Sequence, residues 1–411
     1  MRLVEINYSF LKVEYLVKMI KIRFIFAFIV LFSLSLQAQQ KKEKKWSLNG
    51  YISYMNSNSF DSISNAWFID NQLHNRLNFE WFPNDKFSFV AQLRTRFIYG
   101  NSVLLIPNYS DMIETEPGYL NLNNNVISEK NFLLNMNLDR IYFKYSTGDW
   151  DLQIGRQRIN WGRTLVWNPN DIFNTYSYFD FDYEEKPGSD AVRVHYYTGA
   201  ASSIEIAYSI NHEERTTLAA KWLFNKWNYD FQFIVGQMEQ RDYIAGFGWS
   251  GAIKSLAFRG EATYFMPIDG SDTTREASFS GTFSLDYTFG NSLNLMAQVL
   301  YTEIAKDNPI SNFANFYTSN LNAKYLSFTD WNIFASAQYP ITPLLNVSIA
   351  GMYYPEMNGY FLNPSLNYSL SNNAEFSFIY QYFKGEFPNA ITGVLTKQQF
   401  QFAFLRVKLS F

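Results

Sequence analysis

The chain contains no cysteine and only three histidines, His74, His195 and His212, among 411 residues. The first absence excludes a disulfide framework, thiolate-bound zinc, iron–sulfur clusters and a cysteine nucleophile. The second leaves few imidazole bases, and none of the three stands beside a recognisable nucleophile motif. Neither sign of charge dominates: 34 Lys and Arg against 37 Asp and Glu give a net charge of -3, which argues against a broad basic face for nucleic acid. Beyond residue 38 no apolar run approaches the roughly 20 residues that a membrane-crossing helix needs, and no stretch reads convincingly as a helix.

Aromatic residues are what the chain has in excess, with 39 Phe, 29 Tyr and 10 Trp. Soluble domains rarely use so many amphipathic rings, whereas membrane proteins place Tyr and Trp at both water–lipid boundaries. The N-terminal stretch MIKIRFIFAFIVLFSLSLQAQQ, from Met19, has a short basic start, an apolar core from Phe24 to Leu36 and a small Ala38. It predicts a secretory signal peptide over residues 1–38 with translation starting at Met19, then a solvated periplasmic tail over 39–45 and a single β-domain over 46–411. No cysteine follows the apolar core, so no lipid anchor is expected.

From Trp46 onward the dominant period is two. Phe87, Phe89, Ala91, Leu93 and Phe97 share one face of a segment whose other face carries Ser88, Gln92, Arg94 and Arg96. That is a strand with one apolar and one polar side. Similar alternation sets Leu77, Phe79 and Trp81 against Arg76, Asn78 and Glu80, and Ile141 and Phe143 against Arg140 and Lys144. About 18 such segments occur, each near the length of a tilted membrane strand. Every other connection is a short turn, such as Pro83-Asn84-Asp85 and Thr147-Gly148-Asp149, while long segments intervene near 100–132, 159–189 and 303–323. The expected fold is therefore an all-β transmembrane antiparallel β-barrel of about 18 strands with both termini in the periplasm. The alternating last strand with Phe411 at its end resembles the C-terminal signature of Gram-negative outer-membrane barrels, which implies recognition by their assembly machinery.

Three stretches carry candidate chemistry. AGFGWSGA, from Ala245 to Ala252, contains GxGxxG but sits on a strand rather than at the opening of a helix. The bland reading is preferred, in which the inner face is bare so that a loop can pack there. FDFDYEE, with Asp180, Asp182, Glu184 and Glu185, lacks the glycine-centred spacing of a calcium loop and is read as acidic loop rather than metal site. GRQRINWGRTLVWNPNDIF, from Gly155, would push Arg156 and Arg158 toward lipid if the preceding alternation continued, at a cost of roughly 2 to 4 kcal/mol each near mid-bilayer. A β-bulge at Gly155 would invert the parity. It would turn both arginines inward and leave Ile159 and Trp161 at the outer lipid boundary.

On this assignment Arg76, Arg94, Arg96, Arg140, Lys144, Arg156, Arg158 and Arg193 form one basic wall, with Asp180, Asp182, Glu184 and Glu185 folding in opposite. The expected function is passive diffusion of small polar or anionic solutes through a basic constriction, with no catalytic residue, no cofactor and no metal. The alternatives are export of an anionic polysaccharide, a barrel enzyme, and a structural barrel without conductance. Expected partners are outer-membrane lipid, lipopolysaccharide and the assembly machinery.

GRQRINWG followed by WNPNDIFN resembles the Gly-Arg-Gln and Asn-Trp-Gly elements of porin-like outer-membrane families, including the alginate-export type. The resemblance covers about forty residues and implies an 18-stranded pore. In the alginate-export type an electropositive lumen serves a polyanion, a role that Arg94, Arg96, Arg140, Arg156 and Arg158 would fit. The chain is shorter than that type, and no polymer-gating loop is matched.

Overall fold

The computed structural model describes residues 45–61, 67–176, 178, 185–303, 322–388 and 395–411. The expected signal peptide and nearly all of the expected tail lie outside the described residues. The β-domain runs from Trp46 to Ser410.

Its strands are β1 (Trp46–Phe60), β2 (Phe68–Asn84), β3 (Phe87–Gly100), β4 (Asn123–Ser128), β5 (Phe132–Thr147), β6 (Trp150–Gln157) and β7 (Ser189–Gly199). There follow β8 (Ser202–Ile210), β9 (Thr216–Lys226), β10 (Tyr229–Met238), β11 (Asp242–Ile253), β12 (Leu256–Pro267) and β13 (Ser278–Thr288). The circuit is completed by β14 (Asn294–Thr302), β15 (Trp331–Thr342), β16 (Leu345–Tyr354), β17 (Gly359–Ser371), β18 (Ala374–Pro388) and β19 (Leu395–Ser410). All pairings are antiparallel, and β1 pairs with both β2 and β19, closing the ring. Closure leaves no strand edge, as a sheet in lipid requires.

One lane of the wall is shared. β5 pairs on one side with β3 along its whole length, and on the other with β6 through Ile141–Thr147 and with β4 through Leu133–Asn137. The nineteen strands among the described residues therefore form an 18-lane barrel, as expected. The connection that supplies β4 also contains two helices, α1 (Asn101–Leu105) and α2 (Tyr109–Glu114). The expectation of no helix is corrected here: at five and six residues these are too short to show a period.

The two faces of the wall are chemically inverted relative to a soluble protein. In β8, Ile204, Ile206 and Tyr208 are 41%, 48% and 42% exposed, while Ser203, Glu205, Ala207 and Ser209 between them are buried. An apolar outer face and a polar inner face are stable only with hydrocarbon outside. β3 and β5 follow the same rule: Phe87 and Phe143 are exposed, and Val90 and Arg94 are buried.

The expected bulge at Gly155 is not there. β6 runs in unbroken register against β5 and β7. Gly155 has a φ of 122°, and a Cβ on it would lie 2.3 Å from the Ile141 carbonyl oxygen, so the strand bends without gaining a residue. The bulge is instead in β5. Gln92 stands opposite Arg140 and Leu93 opposite Leu138, leaving Asp139 as the extra residue. Asp139 and Arg140 consequently both turn inward.

The outer-face assignment predicts that Ile206→Arg lowers the stability of the lipid-refolded protein by about 2 to 4 kcal/mol, read from denaturant titration in vesicles. A lipid-soluble thiol reagent should label Phe143→Cys and Ile206→Cys and leave Gln92→Cys unlabelled. Labelling at position 92 would place the β3 register one residue out.

Candidate channel constriction

Strand β6 stops at Gln157, and the chain that follows, 158–176, turns down the inside of the barrel. Strands β8 to β14 offer it a row of buried polar side chains, and it bonds five of them, Glu205, Gln232, Glu261, Thr263 and Gln298. Trp161 Nε1 donates to Glu205 on β8 at 2.6 Å. Lys221 on β9 lies 3.0 Å from the same carboxylate and 5.1 Å above the Trp161 ring. Gln232 on β10 donates to the Trp161 carbonyl at 2.7 Å and accepts from Arg163 Nε at 2.9 Å. Glu261 on β12 accepts from the Arg163 amide at 2.9 Å and the Thr164 hydroxyl at 2.7 Å. Gln298 on β14 accepts from the Val166 amide and donates to the Trp167 carbonyl, both at 3.0 Å.

The Asn-Pro-Asn-Asp turn sits on β11 and β12. Asn170 donates to the Phe247 carbonyl at 3.0 Å and accepts from the Thr263 hydroxyl at 2.6 Å. Room for it comes from Gly246 and Gly248, where an added Cβ would lie 3.0 Å from the Asn170 amide group. The bare inner face expected of AGFGWSGA is thus the seat of a loop.

Apolar packing completes the seat. Ile159, Trp161 and Ile172 bury against Ala207, Ala219, Ile234, Ile244 and Phe265. Val166 and Trp167 join a second cluster with Leu326, Leu300, Phe334, Met352, Tyr354, Phe361 and Phe383. Ile159 and Trp161 are therefore in the interior, not at the outer lipid boundary; past Gln157 the chain has left the sheet, and strand parity no longer applies. Within the loop, burial pushes the Asp171 carboxyl up to about 6, against the pull of the Arg158 guanidinium. Burial likewise raises the Tyr176 hydroxyl.

On strands β2 to β7 the interior is cationic, and its cations fall into two groups. Arg76 is fully buried, bonded to Asp139, Gln92 at 2.8 Å and Asn78 at 2.9 Å, with Glu185 3.3 Å away. Arg94 lies 3.5 Å from Asp139. These two form an under-layer around the bulge carboxylate. Arg96, Arg140, Lys144, Arg158 and Arg193 keep partial solvent access. Arg96 donates to Asn135 at 3.0 Å, and Lys144 and Arg193 pair with Asp151 and Glu205. The Glu185 carbonyl accepts from Arg140 and Arg158. Tyr176 lies under Arg158 and Lys186 at 5.3 and 4.5 Å. Of the acidic stretch, Asp180, Asp182 and Glu184 lie outside the described residues. Among the described residues no group of acidic and histidine side chains is arranged to hold a metal ion.

Arg156 departs from its expected place on the lining. It is 3% exposed and tied at every nitrogen. Nε and Nη2 donate to Asp190 at 2.8 and 2.7 Å, Nη1 to Glu116 at 2.9 Å, and Nη2 also to the Leu120 carbonyl at 2.6 Å. In register it stands opposite Asp190 and in line with Ile154 and Val192 of the outer face. The segment around Glu116–Leu120 covers it there, and Gly118 bridges to Asn211 beyond β8. The arginine that parity drove toward lipid is neutralised by chain folded over it, so it serves as a clamp.

The same barrel fold is found among solved structures. OccK11 (OpdR) of Pseudomonas aeruginosa matches at 11% identity over 89% of this chain and 96% of that one, with a TM-score of 0.53. OccK2 (OpdF) of the same organism matches at 6% identity over 89% and 98%, TM-score 0.56. OccAB3 of Acinetobacter baumannii matches at 10% over 89% and 99%, TM-score 0.53. The barrel has the fold of an Occ/OprD-type porin. No family model and no curated protein matches the chain, and the alginate-export type that the Gly155 motif resembles finds no support.

Arg156→Ser leaves Asp190 and Glu116 buried without their cation, a loss of about 3 to 5 kcal/mol for a buried pair. The expected result is faster thermolysin cleavage within 101–131 while the barrel band persists on unheated gels. Equal cleavage rates in variant and wild type would remove the clamp.

Proposed function

We propose that the protein is a channel of the Gram-negative outer membrane through which small polar and anionic solutes diffuse passively. The observation that carries this reading is the partly solvent-accessible set Arg96, Arg140, Lys144 and Arg193 on the inner face of β3, β5 and β7, joined by Arg158 at the start of the inward loop. Arg76 and Arg94 lie behind it and, with Asp139, fix its electrostatic background. Both termini are assigned to the periplasm, with Phe411 presented to the assembly machinery and the outer face to lipid and lipopolysaccharide.

The physics is that of a wide, wet constriction. A unit charge about 7 Å from a passing ion in water-like dielectric is worth about 0.6 kcal/mol, so each cation biases permeation by a factor of about two to three and several act together. Such a wall selects by charge and size and leaves the solute chemically unchanged, in keeping with a chain assigned no catalytic residue.

Planar-bilayer recording of the full-length protein should give stepwise conductance and, in a tenfold KCl gradient, a reversal potential on the anion-selective side. Arg140→Ser with Arg158→Ser should shift that potential toward cations, by less at 1 M salt, where the Debye length falls from about 10 Å at 0.1 M to about 3 Å. No conductance steps would sink the channel reading. Normal steps with unchanged selectivity would remove these two arginines from the path.

A further inference from the structure

We infer that Asp171 makes the seating of the inward loop depend on acidity: protonated, it lets 158–176 lie tight against β8–β14, and ionised it loosens that seat so that the loop moves into the passage. For its effect on conductance this inference rests on the channel reading above.

The geometry is that of a carboxyl placed where a charge is hard to keep. Asp171 is fully buried, and its neighbour Ile172 belongs to the apolar cluster that holds Ile159 and Trp161 against the wall. Oδ1 accepts the Trp161 amide at 3.2 Å, and Oδ2 has no hydrogen-bond partner among the described residues. The backbone around it is committed elsewhere: its amide donates to the Asn168 carbonyl at 3.0 Å, and its carbonyl accepts from the Thr175 hydroxyl at 2.6 Å. The titratable and charged groups that act on it are Arg158 and Tyr176 of its own loop, Lys221 of β9 and Glu261 of β12. None is hydrogen-bonded to it, and the two cations are engaged with the Glu185 carbonyl and with Glu205. An ionised Asp171 would therefore stand in a dry seat with one oxygen unanswered, a state relieved when the loop lifts into water.

The direction of the effect follows from burial. The carboxyl titrates near 6 in the seated loop, against an ordinary value near 4 when released, so the seat is strongest below pH 4 and weakens as pH rises to about 6. A carboxyl that holds its proton about a hundredfold more tightly when seated changes the seating equilibrium by the same factor, about a hundredfold, across that range. The loop's other bonds keep it mostly seated at neutral pH, and the change appears as more frequent excursions.

Single-channel recording of the full chain from pH 4 to pH 7 should show closures becoming at least tenfold more frequent. Asp171→Asn keeps the shape of the side chain without the charge and should hold the acidic closure rate throughout. Asn170→Cys with Gly248→Cys, oxidised, should pin the loop to β11 and abolish the closures at every pH. A pH profile in Asp171→Asn equal to that of wild type overturns the inference, and so does a pinned loop that still closes. A readout independent of conductance is the rate of that cross-link in the Asp171 and Asp171→Asn backgrounds at one pH, which cancels the thiols' own titration. The ratio should be near one at pH 4 and favour the Asn background severalfold at pH 7. A ratio of one at both overturns the latch even if the protein conducts, and the predicted ratio in a protein without conductance keeps the latch while the channel reading fails.

Discussion

The constraint on which the rest of this structure depends is the need to satisfy a polar inner wall. A closed sheet in hydrocarbon answers its own backbone groups, but every inward side chain must find water, an ion or more protein. Strands β2 to β7 answer with charges and partial solvation. Strands β8 to β14 answer with the chain itself: Glu205, Gln232, Glu261 and Gln298 are each bonded to the loop that follows β6. Among the described residues that division separates the partly accessible cations of β3, β5 and β7 from the strands that carry the loop.

Charge is managed on the same principle. Were Arg76 and Arg94 buried without an anion, the desolvation cost would exceed any packing gain. The bulge in β5 removes that cost by turning Asp139 inward beside Arg140, at the expense of one unpaired position in the ladder. On the outer face Arg156 meets the opposite problem, and chain is brought over it from the preceding connection. The same residue type is thus partly accessible on the inner face, buried or clamped according to what the backbone places next to it.

Much of this was legible in the sequence. Period-two alternation and the contrast between short and long connections pointed to the barrel and its 18 lanes, and Gly246 and Gly248 marked a place for a loop because two missing side chains on one strand face leave a hole that the fold must fill. The positions of Asp139, Arg156, Ile159 and Trp161 were not legible, for two physical reasons. A bulge shifts parity without a sequence mark of its own: Leu133 and Asn135 alternate in one phase and Tyr142 and Lys144 in the other, and only that change of phase betrays Asp139. Once the chain leaves the sheet at Gln157, apolar residues are placed by tertiary contact and no period survives to report it. The role of the inward carboxylates Glu205 and Glu261 as seats for the loop's N–H and O–H groups depends on a loop path that one-dimensional pattern cannot carry.

The shared lane between β5 and β7 has a bearing on how the barrel comes together. β6 contributes eight residues where β5 contributes sixteen, and the missing height is supplied by β4, which precedes β5 in the chain. Apart from the closure of β1 on β19, every other lane can be laid down in chain order, each strand against the one before it. This one cannot: β4 must wait beside the growing sheet until β5 is in place, and the knot over Arg156 closes only when Asp190 of β7 arrives. The lane beside β5 is therefore built of one segment made before β5 and one made after it, so it is a seam in time as well as in the sheet.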